Sequence, residues 1–213
     1  MKATYLNSRI PLGKVEATVG SMLKKRAADF SRQVVLKERK GDGEYFGLRW
    51  ADFFARIRSV GSSLLALGIK KGDRVAVYSK NTEEMLVWEL AVMGIGALSV
   101  PIFAGYYPPQ VDFILEHSEA RMILVHDEAQ LRKVLDAPHQ RHLTKIVLVN
   151  DVKDFVDDDR VIPFDQLLEA QDTTSYEKAT LAVRYQDPCL VMYTSGTTGT
   201  PKGVILTHHN LLS

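Results

Sequence analysis

The chain has 213 residues, 46% of them hydrophobic and 25% charged, with 27 Lys and Arg against 26 Asp and Glu for a formal charge of +1. That length and balance suit one globular domain with a buried core and exclude a disordered chain, and near-neutrality leaves no whole-chain field to gather nucleic acid or anionic lipid. The single cysteine, Cys189, excludes an internal disulfide and a thiolate metal cage and fits a reducing, cytoplasmic setting.

The first 13 residues hold Lys2 and Arg9 and no continuous apolar stretch, so they lack the pattern of a secretory signal. Val15, Val19, Met22, Leu23 and Phe30 recur at helical spacing, which predicts a surface helix over 15–30. Apolar runs at 34–36 and 44–48 bracket Gly41, Asp42 and Gly43 and read as a hairpin. Phe53, Phe54, Ile57, Val60, Leu64, Leu65 and Leu67 form the next helical stripe, with Gly68 as its stop.

From 74 to 149 short apolar runs alternate with helical stretches: strands at 74–78, 98–100, 122–125 and 146–149, and helices from Asn81 to about Gly94, over 109–117 and over 128–135. Asn81 is the expected cap of the first of these helices, with Glu84 completing a capping box. This alternation predicts an α/β fold, a doubly wound, mostly parallel sheet with flanking helices, whose ligands sit beyond the carboxyl ends of the strands. The stretch 90–105 is apolar except at Ser99, but its 16 residues hold Gly94, Gly96 and Pro101 and fall short of the roughly 20 that span a membrane. Asp157, Asp158 and Asp159 mark a solvated loop, 164–170 reads as helical, and 190–193 is one more short strand.

That strand runs into the most informative segment. Between Thr194 and Lys202 lie five hydroxyls (Thr194, Ser195, Thr197, Thr198, Thr200), two glycines (Gly196, Gly199), Pro201 and Lys202 itself. Backbone amides, hydroxyls and a mobile cation converging on one concavity meet the demands of a polyphosphate, yet the same composition also describes a plain flexible connector. A Walker A loop fails because Pro201 stands where its second glycine belongs, and no Gly-x-Gly-x-x-Gly fingerprint occurs.

The run from Tyr193 through Gly203 and on through Thr207, His208, His209 and Asn210 resembles the phosphate-binding signature of the adenylate-forming (AMP-binding) superfamily. Leu67-Gly68, the run from Lys71 to Val77, Asn81, Gly96-Ala97 and Val100-Pro101 fall in that family's order, so the resemblance extends from about residue 18 to the end. The segment from Ala104 to Ala120 is similar to fatty acyl-CoA synthetases. Ile102 and Phe103 stand where amino-acid-activating relatives carry an acidic residue, which leans against an adenylation domain for such a substrate.

The resemblance implies an acid–thiol ligase that joins a fatty acid to ATP as an acyl-adenylate and passes it to coenzyme A, with Mg²⁺ carried on the nucleotide. It implies that Thr194, Ser195, Thr197, Thr198 and Thr200 donate to phosphate, that Gly196 and Gly199 permit close backbone approach, and that Lys202 offsets the charge of the departing pyrophosphate. On this reading residues 1–213 form the N-terminal part of the large AMP-binding domain, inactive by themselves. A non-catalytic binding module and a ligase for another carboxylate are the alternatives.

Other conspicuous residues have plainer readings. Cys189 is expected in the core, His208 and His209 in structural hydrogen bonds, and Trp88, Met85, Leu86 and Leu90 in helix packing. Tyr106 and Tyr107 suit a substrate tunnel and a sheet-edge cover equally. His117, His126, His139 and His142 lack metal-site spacing, and the basic groups at Lys24–Arg26 and Lys70–Lys71 read as solvated surface, with peripheral contact to anionic headgroups as the lesser alternative.

Overall fold

The computed structural model describes residues 18–39, 43–150, 157–170, 172–194 and 201–213. Its elements in chain order are α1 (Val19–Asp29), β1 (Val34–Arg39), β2 (Tyr45–Arg49), α2 (Trp50–Ala66), β3 (Arg74–Tyr78), α3 (Glu83–Gly94), β4 (Leu98–Ile102), α4 (Pro108–Ser118), β5 (Met122–Val125), α5 (Glu128–Leu135), β6 (Lys145–Leu148), β7 (Val161–Pro163), α6 (Thr174–Leu181), β8 (Pro188–Thr194), β9 (Lys202–Thr207) and α7 (His208–Leu212). β1 and β2 pair antiparallel as a separate ribbon, as their flanking glycines suggest. The other seven strands form one sheet in the order β7-β6-β5-β3-β4-β8-β9, parallel except for the antiparallel pair β8–β9.

The expected α/β sheet is therefore present, and strand periodicity explains how both its faces are buried. Successive side chains point to opposite faces. Val75 and Val77 of β3 face the helical layer of α1, α2, α3 and α6, while Ala76 and Tyr78 face α4 and α5. Met122 and Leu124 divide from Ile123 and Val125 in the same way along β5. Strands covered on both sides read as continuous apolar runs, and for that reason β3 and β5 match their expected bounds residue for residue; α5, capped by Asp127, matches its own.

Departures have local causes. Thr82, not Asn81, caps α3, its hydroxyl accepting from Met85 N at 3.3 Å. Asn81 lies one residue outside the cap. The expected helix at 164–170 is a 3₁₀ turn, Phe164–Leu168, which buries Phe164 and Leu167 at the three-residue repeat of that geometry. α6 gave no apolar stripe because Tyr176 is its one buried residue. That ring packs against a glycine on each of α2 and α3: a Cβ on Gly61 would lie 2.4 Å from Tyr176 Cδ2, and one on Gly94 2.5 Å from Tyr176 Oη. β7 is a three-residue edge strand, where Pro163 costs the sheet no inner hydrogen bond. Gly68 ends the α2 turn at φ +91°, as its role as a stop requires.

Candidate functional site

Strand order reverses about β3, with β4 added on one side and β5 on the other. The β3/β5 mouth is spanned by an ion pair, Lys80 Nζ to Asp127 Oδ2 at 3.1 Å. Open space lies instead on the β4 side, where a cleft of about 570 Å³ runs over the carboxyl ends of β3, β4 and β8. Its walls include Met85, Ile102, Phe103, Tyr106, Met192 and Tyr193, with Glu89 and Lys80 among the polar ones.

Beside this cleft β8 ends at Thr194, and β9 begins at Lys202, its register partner. Both side chains are exposed. Ser195, Gly196, Thr197, Thr198, Gly199 and Thr200, the rest of the expected phosphate site, lie outside the described residues. What the structure brings together is therefore the two ends of the segment, one hydroxyl and one ammonium group, on adjacent strands next to the carboxyl-end cleft.

The strand after the segment is tied down by its own sequence. Thr207 caps α7: its hydroxyl accepts from Asn210 N at 3.2 Å, and Asn210 Oδ1 accepts from Thr207 N at 3.0 Å. The Thr-His-x-Asn element is thus a reciprocal cap. His208 is fully buried, and its Nδ1 accepts from Val19 N at 3.2 Å, joining the end of the hairpin to the first turn of α1. Burial holds the imidazole below its ordinary pKa, Asp187 opposing and Lys71 reinforcing this, so the ring is neutral with its proton on Nε2. His209 N donates to Tyr185 O at 3.0 Å, and its ring meets the Tyr185 hydroxyl. Both histidines make structural contacts.

Cys189 is a core residue whose thiol burial pushes up to about 11. Trp88 is core as well, donating from Nε1 to Ala76 O at 3.0 Å. Met85 packs half-buried against the core, as expected, and also lines the cleft. The tyrosine pair splits, Tyr106 lining the cleft and Tyr107 standing exposed ahead of α4. The sequence reading missed Glu89. Burial raises its pKa, and its Oε1 accepts from Ser99 Oγ at 3.2 Å. A lone carboxylate in an apolar helix stretch was the available signal, but its neighbour Ser99 belongs to another element.

Among the described residues no group of His, Cys, Asp or Glu could hold a metal ion, and no helix is long and apolar enough to cross a membrane.

Comparison with known proteins supplies the family. Long-chain-fatty-acid–CoA ligase FadD15 of Mycobacterium bovis is 30% identical over 185 residues, covering 84% of this chain and 29% of that protein. Crotonobetaine/carnitine–CoA ligase of Salmonella agona is 31% identical over 163 residues, covering 76% of this chain and 31% of that protein. The inhibitor-bound N-terminal domain of FACL13 from Mycobacterium tuberculosis superposes with a TM-score of 0.71 at 27% identity, covering 91% of this chain and 45% of that one. The chain thus spans about three-tenths of the length of these curated relatives. The family model for AMP-binding enzymes matches residues 23–213, and the chain belongs to that family.

Proposed function

We propose that these residues form the N-terminal portion of an ATP-dependent acyl-CoA synthetase acting on a fatty acid. In the reaction a carboxylate oxygen attacks the α-phosphorus of ATP, the bond to pyrophosphate breaks, and the thiol of coenzyme A then displaces AMP from the acyl carbon. Negative charge gathers on the leaving pyrophosphate, and an ammonium with several hydroxyl and amide donors lowers the barrier by meeting it there. The observation that carries the reading is the pairing of Thr194 with Lys202 at the two ends of Ser-Gly-Thr-Thr-Gly-Thr-Pro, beside the carboxyl-end cleft.

In this reading Thr194, Ser195, Thr197, Thr198 and Thr200 donate to phosphate, Gly196 and Gly199 let the backbone approach, and Lys202 neutralises charge. The described residues offer no carboxylate set for Mg²⁺, and no step is assigned to it. The apolar cleft walls and the M. bovis relative support a fatty acid. The S. agona relative, equally similar, supports a second reading with a different small carboxylate. Cytoplasmic residence belongs to the same proposal, on the strength of one buried, unpaired thiol.

The test is titration of the 213-residue chain with ATP and with inorganic pyrophosphate, beside an assay of pyrophosphate release with palmitate and coenzyme A. Anion binding that Lys202→Ala weakens about tenfold or more, the loss of one charge-assisted contact, is expected. Turnover by the chain alone is not. Absence of anion binding, or binding indifferent to Lys202→Ala, overturns the phosphate role, and steady release dependent on both ATP and palmitate overturns the inactivity.

A further inference from the structure

Tyr193 sits one residue before Thr194 and is held from two directions. From α4, His117 Nδ1 lies 2.7 Å from Tyr193 Oη, across 76 residues of sequence. Phe113 and His117 stack with ring centroids 5.6 Å apart, and the Tyr193 ring meets both edge-on, at 6.3 Å and 5.6 Å. From β9, Gly203 is its register partner and lies under the ring: a Cβ there would fall 3.5 Å from Tyr193 Cε1 and Cζ, an ordinary contact, and a tighter 3.1 Å from Val191 Cγ1. Desolvation raises the pKa of the phenol, and one hydrogen bond joins it to the imidazole. One aromatic side chain thereby bridges α4, the last turn of β8 and the first of β9. The next pair along the ladder, toward the strand ends, is the exposed Thr194 and Lys202.

We propose that Tyr193 and His117 are positioning residues, which fix the spacing and direction of Thr194 and Lys202 so that both can face one anion. The proposal rests on the phosphate reading for what is bound, but not for the anchor itself. An exposed lysine on an edge strand otherwise spreads over many rotamers, and a bound phosphate would have to order it. Locking the two strand ends in advance removes part of that cost.

The experiment uses the 213-residue chain with Tyr193→Phe, His117→Ala, His117→Asn and the Tyr193→Phe/His117→Ala double variant. Amide hydrogen exchange of Thr194, Lys202 and Gly203 is read without any ligand, and inorganic pyrophosphate affinity is read by titration. Each of Tyr193→Phe and His117→Ala is expected to speed exchange at those amides and weaken pyrophosphate binding about fivefold, the equivalent of one hydrogen bond of about 1 kcal/mol. The double variant should be no worse than either single one, because both remove the same contact. His117→Asn, which keeps a polar partner for the phenol, should restore part of the loss.

Unchanged exchange, strictly additive effects, or unchanged affinity in a chain whose wild type binds pyrophosphate overturns the proposal. If the wild type binds no pyrophosphate while exchange responds as described, the anchor stands and the phosphate reading falls.

Discussion

β3 and β5 bury nearly every side chain on both faces of the sheet, whereas β8 and β9, hydrogen-bonded into the same sheet, leave Met192, Val204 and Ile205 exposed. The contrast follows from connectivity. Parallel neighbours need crossover helices, and those helices cover both faces. The antiparallel pair is joined through only seven residues, 195–201, too few for a crossover helix, and in this chain the first residue of β9, Lys202, is exposed. Stability is concentrated in the first region, and ligand-accessible groups in the second.

The largest effect expected from this contrast is in the parallel region. Trp88→Ala removes a fully buried ring and leaves Ala76 O without its donor, and should cost about 3–5 kcal/mol in denaturant unfolding. Trp88→Phe, which keeps most of the volume, should cost less. A loss below about 1 kcal/mol for Trp88→Ala would break the assignment of stability to this layer.

The join between the two regions comes next. Removing the imidazole in His208→Ala leaves the buried Val19 N–H without an acceptor and should cost about 1–3 kcal/mol. The folded-state pKa of His208 lies below its ordinary value of 6.5, so its contribution is present above 6.5 and is lost as pH falls through the lowered value. His208→Gln, an acceptor that does not titrate, should flatten the stability profile as pH falls below 6.5. A wild-type profile matching that of the glutamine variant would show that the imidazole does not couple hairpin to helix.

The smallest effect belongs to the hairpin surface. Lys202→Ala and Ile205→Thr alter exposed side chains and should each leave the unfolding free energy within about 0.5 kcal/mol of wild type. A larger loss from Lys202→Ala would mean that the lysine serves the fold, and would separate it from the role assigned under the proposed reaction.

Reading order from pattern worked best where burial was symmetrical. A run such as Met122–Val125 has only one comfortable place, between two covered faces, and its bounds follow from the residues themselves. The apolar β-branched pattern marks a strand only at 98–100, yet β4 continues through Pro101 to Ile102. α6 was missed because one buried tyrosine makes no periodicity, and its place is set by Gly61 and Gly94 on other helices. The candidate site divides likewise. The spacing of hydroxyls, glycines and Lys202 was legible, but the cleft was not, since Glu89, Phe103 and Met192 come from α3, the loop after β4 and β8.

By itself the sequence determined the alternation of strands and helices, the buried faces, and the Thr-His-x-Asn cap, because each depends on residues within a few positions of one another. Only the tertiary structure decided that β9 turns back antiparallel on β8, that Tyr193 meets His117 across 76 residues, and that His208 receives the amide of Val19 across 189. Those contacts carry no local period. They exist because the sheet brings distant segments together, where a buried amide such as Val19 N–H would cost about 1–3 kcal/mol if left unpaired.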